Sequence, residues 1–303
     1  MRRFVTFSNP QLVEIGAWSH AGLLDADQFN QKDAPVQFNP DAPDGVAFLD
    51  PYMKDGTDIS QPVHEIHYYV MNAGTWKTTS VWPPSNTEEQ SLFLRTDGVL
   101  STEQPKITEE PDSYVVDFTA STGMENRWWT QMDAADVYYG DRAVEDRKLL
   151  IYTGSPVTQD IEIVGHPIVT LYVTSTHDDG ACYAYLEDVS PDGVITYITE
   201  SQIRALHRNV STASPPTQVF GPYHSYLRAD SEPMTPGKVT QLTFSLLPTA
   251  VLIKQGHALR LAIAGHDNSI FARIPEVGTP TIQVHHSPEF PSGLTLPVQP
   301  FKQ

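Results

Sequence analysis

"PIVTLYVTST" (Pro167–Thr176) and the run after it, "ACYAYLEDVSPDGVITYITE" (Ala181–Glu200), decide the fold class. In the first, Val169, Leu171 and Val173 alternate with Thr170, Tyr172 and Thr174. That period of two puts an apolar and a polar face on one strand. In the second, two β-branched and aromatic runs flank Ser190-Pro191-Asp192-Gly193. Proline presets one turn position and glycine supplies a positive φ, so the segment reads as a hairpin. Outward from this pair, strands are read in "SLFLR" before Asp97-Gly98, "SYVVDFT" (Ser113–Thr119), "KLLIYTG" and "IEIVG". Further along, "KVTQLTFSLL", "HALRLAIAG" and "TIQVHH" read the same way, and 25 Pro and 18 Gly punctuate the chain. About ten strands with little helix after residue 90 predict a mainly β fold. The expected form is a jelly-roll β-sandwich over residues 91–303, two sheets packed face to face.

The first ninety residues differ. "QLVEIGAW" reads as one strand running into a loop, and "HEIHYYVMN" as another. "DGVAFLDPYMK" has Val46, Phe48, Leu49, Tyr52 and Met53 at roughly helical spacing, and Pro51 limits it to a short or broken helix. The polar stretch between, "DADQFNQKDAPVQFNPDAPDG", is loop, and "GTWKTTSVWPPSNTEE" is a link marked by Trp and Pro. A lone strand and a marginal helix cannot bury their own apolar faces. Residues 1–60 therefore read as the C-terminal tail of an α/β domain, and 61–90 as connecting strand and linker. Exposed apolar surface is expected there, and with it self-association or a partner.

Composition narrows the function classes. Of 303 residues, 40% are hydrophobic and 18% charged, which is globular composition. A net charge of -18 argues against nucleic acid or an anionic membrane as partner. One cysteine, Cys182, excludes an internal disulfide framework and reads as a buried thiol. No apolar run approaches membrane-spanning length, and the residues after "MRRF" are too polar for a signal peptide. The cytoplasm is the expected location. The sequence offers no cofactor motif and no metal-ligand set.

The stretch that bears on chemistry is "VEIGAWSHAG" (Val13–Gly22), a strand, a loop and His20. A serine hydroxyl becomes a nucleophile when an adjacent imidazole takes its proton, and α/β hydrolases place that histidine on a loop after a late strand. The companion G-x-S-x-G elbow is absent, and "TGSPV" around Ser155 lacks the second glycine. On spacing alone, His20 reads as a loop histidine. His64 and His67 point to opposite faces of a strand, as do His285 and His286, so neither pair reads as a metal site. Asp178-Asp179 reads as a solvated turn rather than a calcium site, and Asp267 as a tie for the loop after its strand. Trp76, Trp82, Trp128 and Trp129 read as packing, with Trp18 the one candidate for a pocket wall.

Four stretches together resemble the C-terminal part of the CocE/NonD family of serine hydrolases, which includes cocaine esterase, α-amino-acid ester hydrolases and X-prolyl dipeptidyl peptidases. They are "IGAWSHAG"; "AFLDPYMKDG" with "VHEIHYYVMNAGTWKTTSVWPP"; "PIVTLYVTSTHDDGACYAYLEDVSPDGVITYITESQIRALHR"; and "GHALRLAIAGHDNSIF" with "TIQVHHSPEFPSGLTLPV". The resemblance implies a tail of an α/β-hydrolase domain followed by a jelly roll of galactose-binding-like type. It implies that His20 is the general base, with Ala17 replacing the family's usual proline before the Trp. It also implies ester or peptide hydrolysis, of cocaine-esterase or X-prolyl dipeptidyl-peptidase type. The nucleophilic Ser and the Asp would then lie upstream of Met1. The chain thus reads as a truncated hydrolase, a split-enzyme subunit or an excised fragment, inactive alone, whose partner is the missing front part. The competing reading is a β-sandwich binding module, for carbohydrate.

Overall fold

The computed structural model describes residues 1–42, 44–54, 62–132 and 136–302, so residues 55–60 of the expected first segment lie outside the described residues. In chain order the elements begin α1 (Arg2–Thr6), β1 (Gln11–Ile15), α2 (Gly45–Met53), β2 (His64–Val70), β3 (Thr75–Thr79) and β4 (Glu88–Arg95). They continue β5 (Val99–Ser101), β6 (Glu109–Val115), β7 (Leu150–Gly154), β8 (Ile161–Gly165), β9 (Ile168–Ser175), β10 (Ala181–Val189) and β11 (Ile195–Arg204). The last are β12 (Thr240–Ser245), β13 (Thr249–Ile253), β14 (Ala258–Ala264), β15 (Thr281–His286) and β16 (Gly293–Pro300).

The two stretches that open the sequence reading form as expected. β10 and β11 pair antiparallel, and the Ser190–Gly193 turn closes with Gly193 N–H on the Ser190 carbonyl at 2.9 Å. Gly193 sits at φ 88°, the left-handed region that a side chain would strain. Strands β11-β10-β14-β7 form one layer, and β6-β15-β9-β12 with β16 form the other. Their inward residues meet in one core: Leu186, Leu261 and Ile263 from one layer, Val169, Leu171 and Phe244 from the other. The layers are not two separate sheets. β4 pairs with β5 on one side and β16 on the other, so the hydrogen-bond ladder turns the corner between them.

Two strand positions depart from the sequence reading. β6 runs over Glu109–Val115, earlier than "SYVVDFT", and contains Pro111. It pairs only with β15, and an edge strand tolerates the missing N–H. β16 contains Pro297, at the gap where its second neighbour changes from β9 (through Thr295) to β8 (from Val298). No second ladder bond is demanded of the proline there.

The N-terminal part is an α/β unit built onto the sandwich. β1 and β2 are parallel, with α2 in the crossover that a parallel pair requires, and β3 adds antiparallel. β2 therefore belongs with β1 rather than to a linker beginning at residue 61, because the β1 apolar face needs that neighbour. Phe4 of α1 packs with Ile66, Tyr68 and Trp82 against Val164 and Leu252 of the sandwich. Met71 seals the junction by donating N–H to the Ala250 carbonyl and accepting from Leu252 N–H, both at 3.0 Å. α2 itself buries none of its residues. Its Val46, Leu49 and Met53, one stripe at helical spacing, are 64%, 52% and 77% exposed. Among the described residues no helix is long and apolar enough to cross a membrane.

Cys182 lies in the core, and burial pushes its thiol up to about 12. Since the thiolate is the reactive form, an aromatic disulfide reagent should leave the folded chain unmodified and react with one thiol per chain in denaturant. Fast reaction without denaturant would show that this part of the core opens readily.

Candidate functional site

The loop that carries His20 is built by backbone bonds. After β1 the chain doubles back: Ser19 N–H donates to the Leu24 carbonyl at 2.8 Å, and Ala26 N–H to the Ala17 carbonyl at 2.9 Å. Ser19 is buried, and its hydroxyl accepts Leu24 N–H at 3.1 Å, so it is committed to holding the loop. Gly22, at φ 67°, permits the tight turn His20–Gly22. His20 projects from this frame as an exposed side chain, with no hydrogen bond to any described residue. The His20–Gly22 turn packs against the turn Thr130–Met132, so the loop with Arg127, Trp128 and Trp129 lies beside it.

Trp18 is half-buried between Trp76 and Phe38, with ring centroids 5.7 and 6.0 Å away. It borders a cavity of about 220 Å³ between the α/β unit and the sandwich, with Tyr69 and Trp82 from one side and Tyr139 and Tyr197 from the other. Trp18 thus stands in the wall of this cavity. Gly16 makes it possible: a Cβ there would lie 2.2 Å from two Trp18 ring carbons. Gly16→Ala should displace the indole, change the intrinsic tryptophan fluorescence and cost about 1–3 kcal/mol by overpacking. An unchanged emission spectrum and urea midpoint would refute that contact.

The cavity is backed by polar groups that the sequence reading passed over. Glu200 accepts from Trp128 Nε1 at 2.9 Å, Tyr139 OH at 2.5 Å and Tyr197 OH at 3.2 Å through one oxygen. Tyr139 and Tyr197 stack with centroids 3.7 Å apart. On the α/β side, buried Asp27 accepts Phe29 N–H and Asn72 N–H at 3.1 and 3.3 Å. Burial pushes its carboxyl up to about 6.

The other sequence candidates serve structure. His64 bonds with Gln11 and the Phe7 carbonyl, whereas His67 bonds with Asn39, so the two share no partner. His286 is fully buried with Nε2 2.8 Å from Asp112, while His285 packs on Phe290. Asp179 pairs with Arg204 at 2.7 Å. Asp267 accepts Thr122 N–H and Ser269 N–H at 3.1 Å and also takes Tyr185 OH, tying down the loop as expected. Ser155 is exposed just past β7. Among the described residues no cluster of three His, Cys, Asp or Glu is arranged to hold a metal ion.

Residues 61–295 match the X-Pro dipeptidyl-peptidase C-terminal non-catalytic domain. The chain belongs to this family. It is 40% identical over 98% of its length to a Mycobacterium bovis protein assigned by name as a serine esterase, and covers 47% of that protein. It is 22% identical to the cocaine esterase of a Rhodococcus strain, covering 94% of this chain and 50% of that one. The chain thus spans about half the length of the curated relatives it matches. The fold is similar to an α-amino acid ester hydrolase (TM-score 0.70, 18% identity, 95% of this chain and 50% of that). It is also similar to a CocE/NonD family hydrolase from Staphylococcus aureus (TM-score 0.60, 20% identity, 83% and 44%). The resemblance to the C-terminal part of the CocE/NonD family therefore stands.

Proposed function

We propose that this chain is the histidine-bearing part of a serine acyl hydrolase acting on esters or amides, and that it is inactive without the part that supplies the serine. The observation that carries this reading is His20: an exposed imidazole on a rigid loop after the first strand of a parallel pair, unbonded among the described residues. A histidine placed to hold structure would be bonded, as His286 and His67 are. In the assembled enzyme His20 takes the serine proton as the hydroxyl attacks the acyl carbon. It then returns that proton to the leaving group, and the acyl-enzyme is hydrolysed by water in the same way. The outer edge of β1, unpaired among the described residues, and the exposed stripe on α2 are the surfaces that the part supplying the serine would cover.

Labelling with a fluorophosphonate tests the reading. The purified chain should stay dark, and the species that labels in extracts of its source should contain this chain or co-purify with it. A chain that labels alone would show an activated serine within it and overturn the need for a second part. If no labelled species contains or accompanies the chain, the hydrolase reading fails.

A further inference from the structure

We propose that Arg127 makes the cavity behind Trp18 a binding site for small aromatic carboxylates. Three observations converge on it. Among the described residues the cavity lining includes no Asp and no Glu, and Arg127 is its one charged side chain, in a protein whose net charge is -18. Arg127 makes no ion pair among the described residues; its guanidinium donates to the Tyr197 hydroxyl in the cavity wall and keeps further N–H donors to offer. Its carboxylate neighbour among the described residues, Glu200, is buried behind Tyr139 and Tyr197 and already accepts three hydrogen bonds. Finally, Trp82 Nε1 and Thr249 Oγ1, buried in the wall of the same cavity, are polar atoms with no hydrogen-bond partner.

These groups define a ligand. The walls are aromatic, from Trp18, Tyr69, Trp82 and Tyr197, and favour a flat apolar body. A cavity of about 150 Å³ admits benzene, so the 220 Å³ here accommodates a ring with a short side chain. At one end stands a guanidinium, whose planar fork matches a carboxylate and holds it by charge-assisted hydrogen bonds. A neutral amide of the same shape can accept from the fork but brings no charge. Because the Arg127 loop adjoins the His20 turn, the inference deepens the hydrolase reading to acyl substrates or leaving groups that carry a free carboxylate on an aromatic body. That extension rests on the hydrolase reading; the binding does not.

Titration of the purified full chain with phenylacetate and with phenylacetamide, followed by tryptophan fluorescence, separates the two. Binding needs no nucleophile, so it stands or falls independently of hydrolysis. Phenylacetate should bind saturably and about 10- to 100-fold more tightly than the amide. Arg127→Gln should abolish that preference by weakening acid binding far more than amide binding, and Arg127→Lys should keep part of it. Equal binding of acid and amide, or no saturable binding of either, would overturn the site. A preference that survives Arg127→Gln would assign the anion to the amino group of Met1, which also borders the cavity, and would overturn the role of Arg127. If the Gln variant fails to fold, the Lys variant decides: an acid preference equal to the parent's would count against a bidentate guanidinium contact.

Discussion

Replacing His20 by Ala in the complete, fluorophosphonate-reactive hydrolase should lower ester hydrolysis and probe labelling by a factor on the order of 10^6, with no measurable change in stability. The two halves of this expectation rest on different facts. The activity loss follows from the role: without the imidazole the serine keeps its proton, and removing the base of a triad costs nearly as much as removing the whole triad. The unchanged stability follows from the structure, because His20 is exposed and makes no hydrogen bond among the described residues. A surface substitution of that kind stays within about 0.5 kcal/mol. Urea unfolding of the His20→Ala chain therefore serves as the control. Ser19→Ala should behave differently, since its hydroxyl receives Leu24 N–H in the loop that aims the imidazole. A His20→Ala enzyme with more than about a tenth of the parent rate would remove His20 from the chemistry.

The sandwich was legible because its signals are local. Alternation in β9 and the Pro191-Gly193 turn are read within ten residues, and the structure follows them. β13, "TAVLI", was not read as a strand: all five of its residues are buried, so no polar alternation marks it, and its partner β8 lies more than eighty residues earlier. β16 was hidden by Pro297 and Pro300, which discourage a strand unless one knows where the ladder leaves a gap. The His20 loop was visible as a strand, glycine and histidine, but the role proposed for it came only through family resemblance. The cavity and its arginine were not legible. They join Trp18, Arg127, Tyr197 and Thr249, which topology alone brings together. Nothing in "GMENRWW" announces that its Arg would face an aromatic cavity.

The same long-range assembly produces the second large effect, a loss of stability with rising pH that originates in the sandwich. Glu187 on β10 is fully buried, opposite Arg260 on β14. Arg142 Nε lies 3.4 Å from its Oε1, and Arg260 Nη1 lies 2.7 Å from Asp146 Oδ2. The remaining oxygens, Glu187 Oε2 and Asp146 Oδ1, have no donor. Burial first, and the neighbouring Asp146 carboxylate second, push Glu187 up to about 8. Glu187 therefore holds its proton at neutral pH, and donating it to Asp146 converts an orphaned pair of acceptors into a hydrogen bond.

The direction of the pH effect follows from linkage. A carboxyl whose folded value lies above its unfolded value of about 4.5 holds its proton more tightly in the folded chain. Its contribution is fully present below pH 4.5 and is lost as pH climbs through 8. Between pH 6.5 and 8.5 the loss amounts to about 2 kcal/mol, or roughly 4 °C in Tm. Asp27, pushed up to about 6, and His166, lowered by burial to about 4, complete their titrations below most of that window. Glu187→Gln is the decisive variant. Its amide can donate to Asp146 Oδ1 as the protonated acid does, so it should match the parent near pH 6.5 and remain flat to pH 8.5 while the parent falls. Arg142→Met should be worse at every pH, by about 3–5 kcal/mol, because it strands a buried carboxylate. Its deficit should deepen above pH 8, where the Glu187 proton leaves. If Glu187→Gln retained the parent's slope across pH 6.5–8.5, the proton would have to reside elsewhere in the fold.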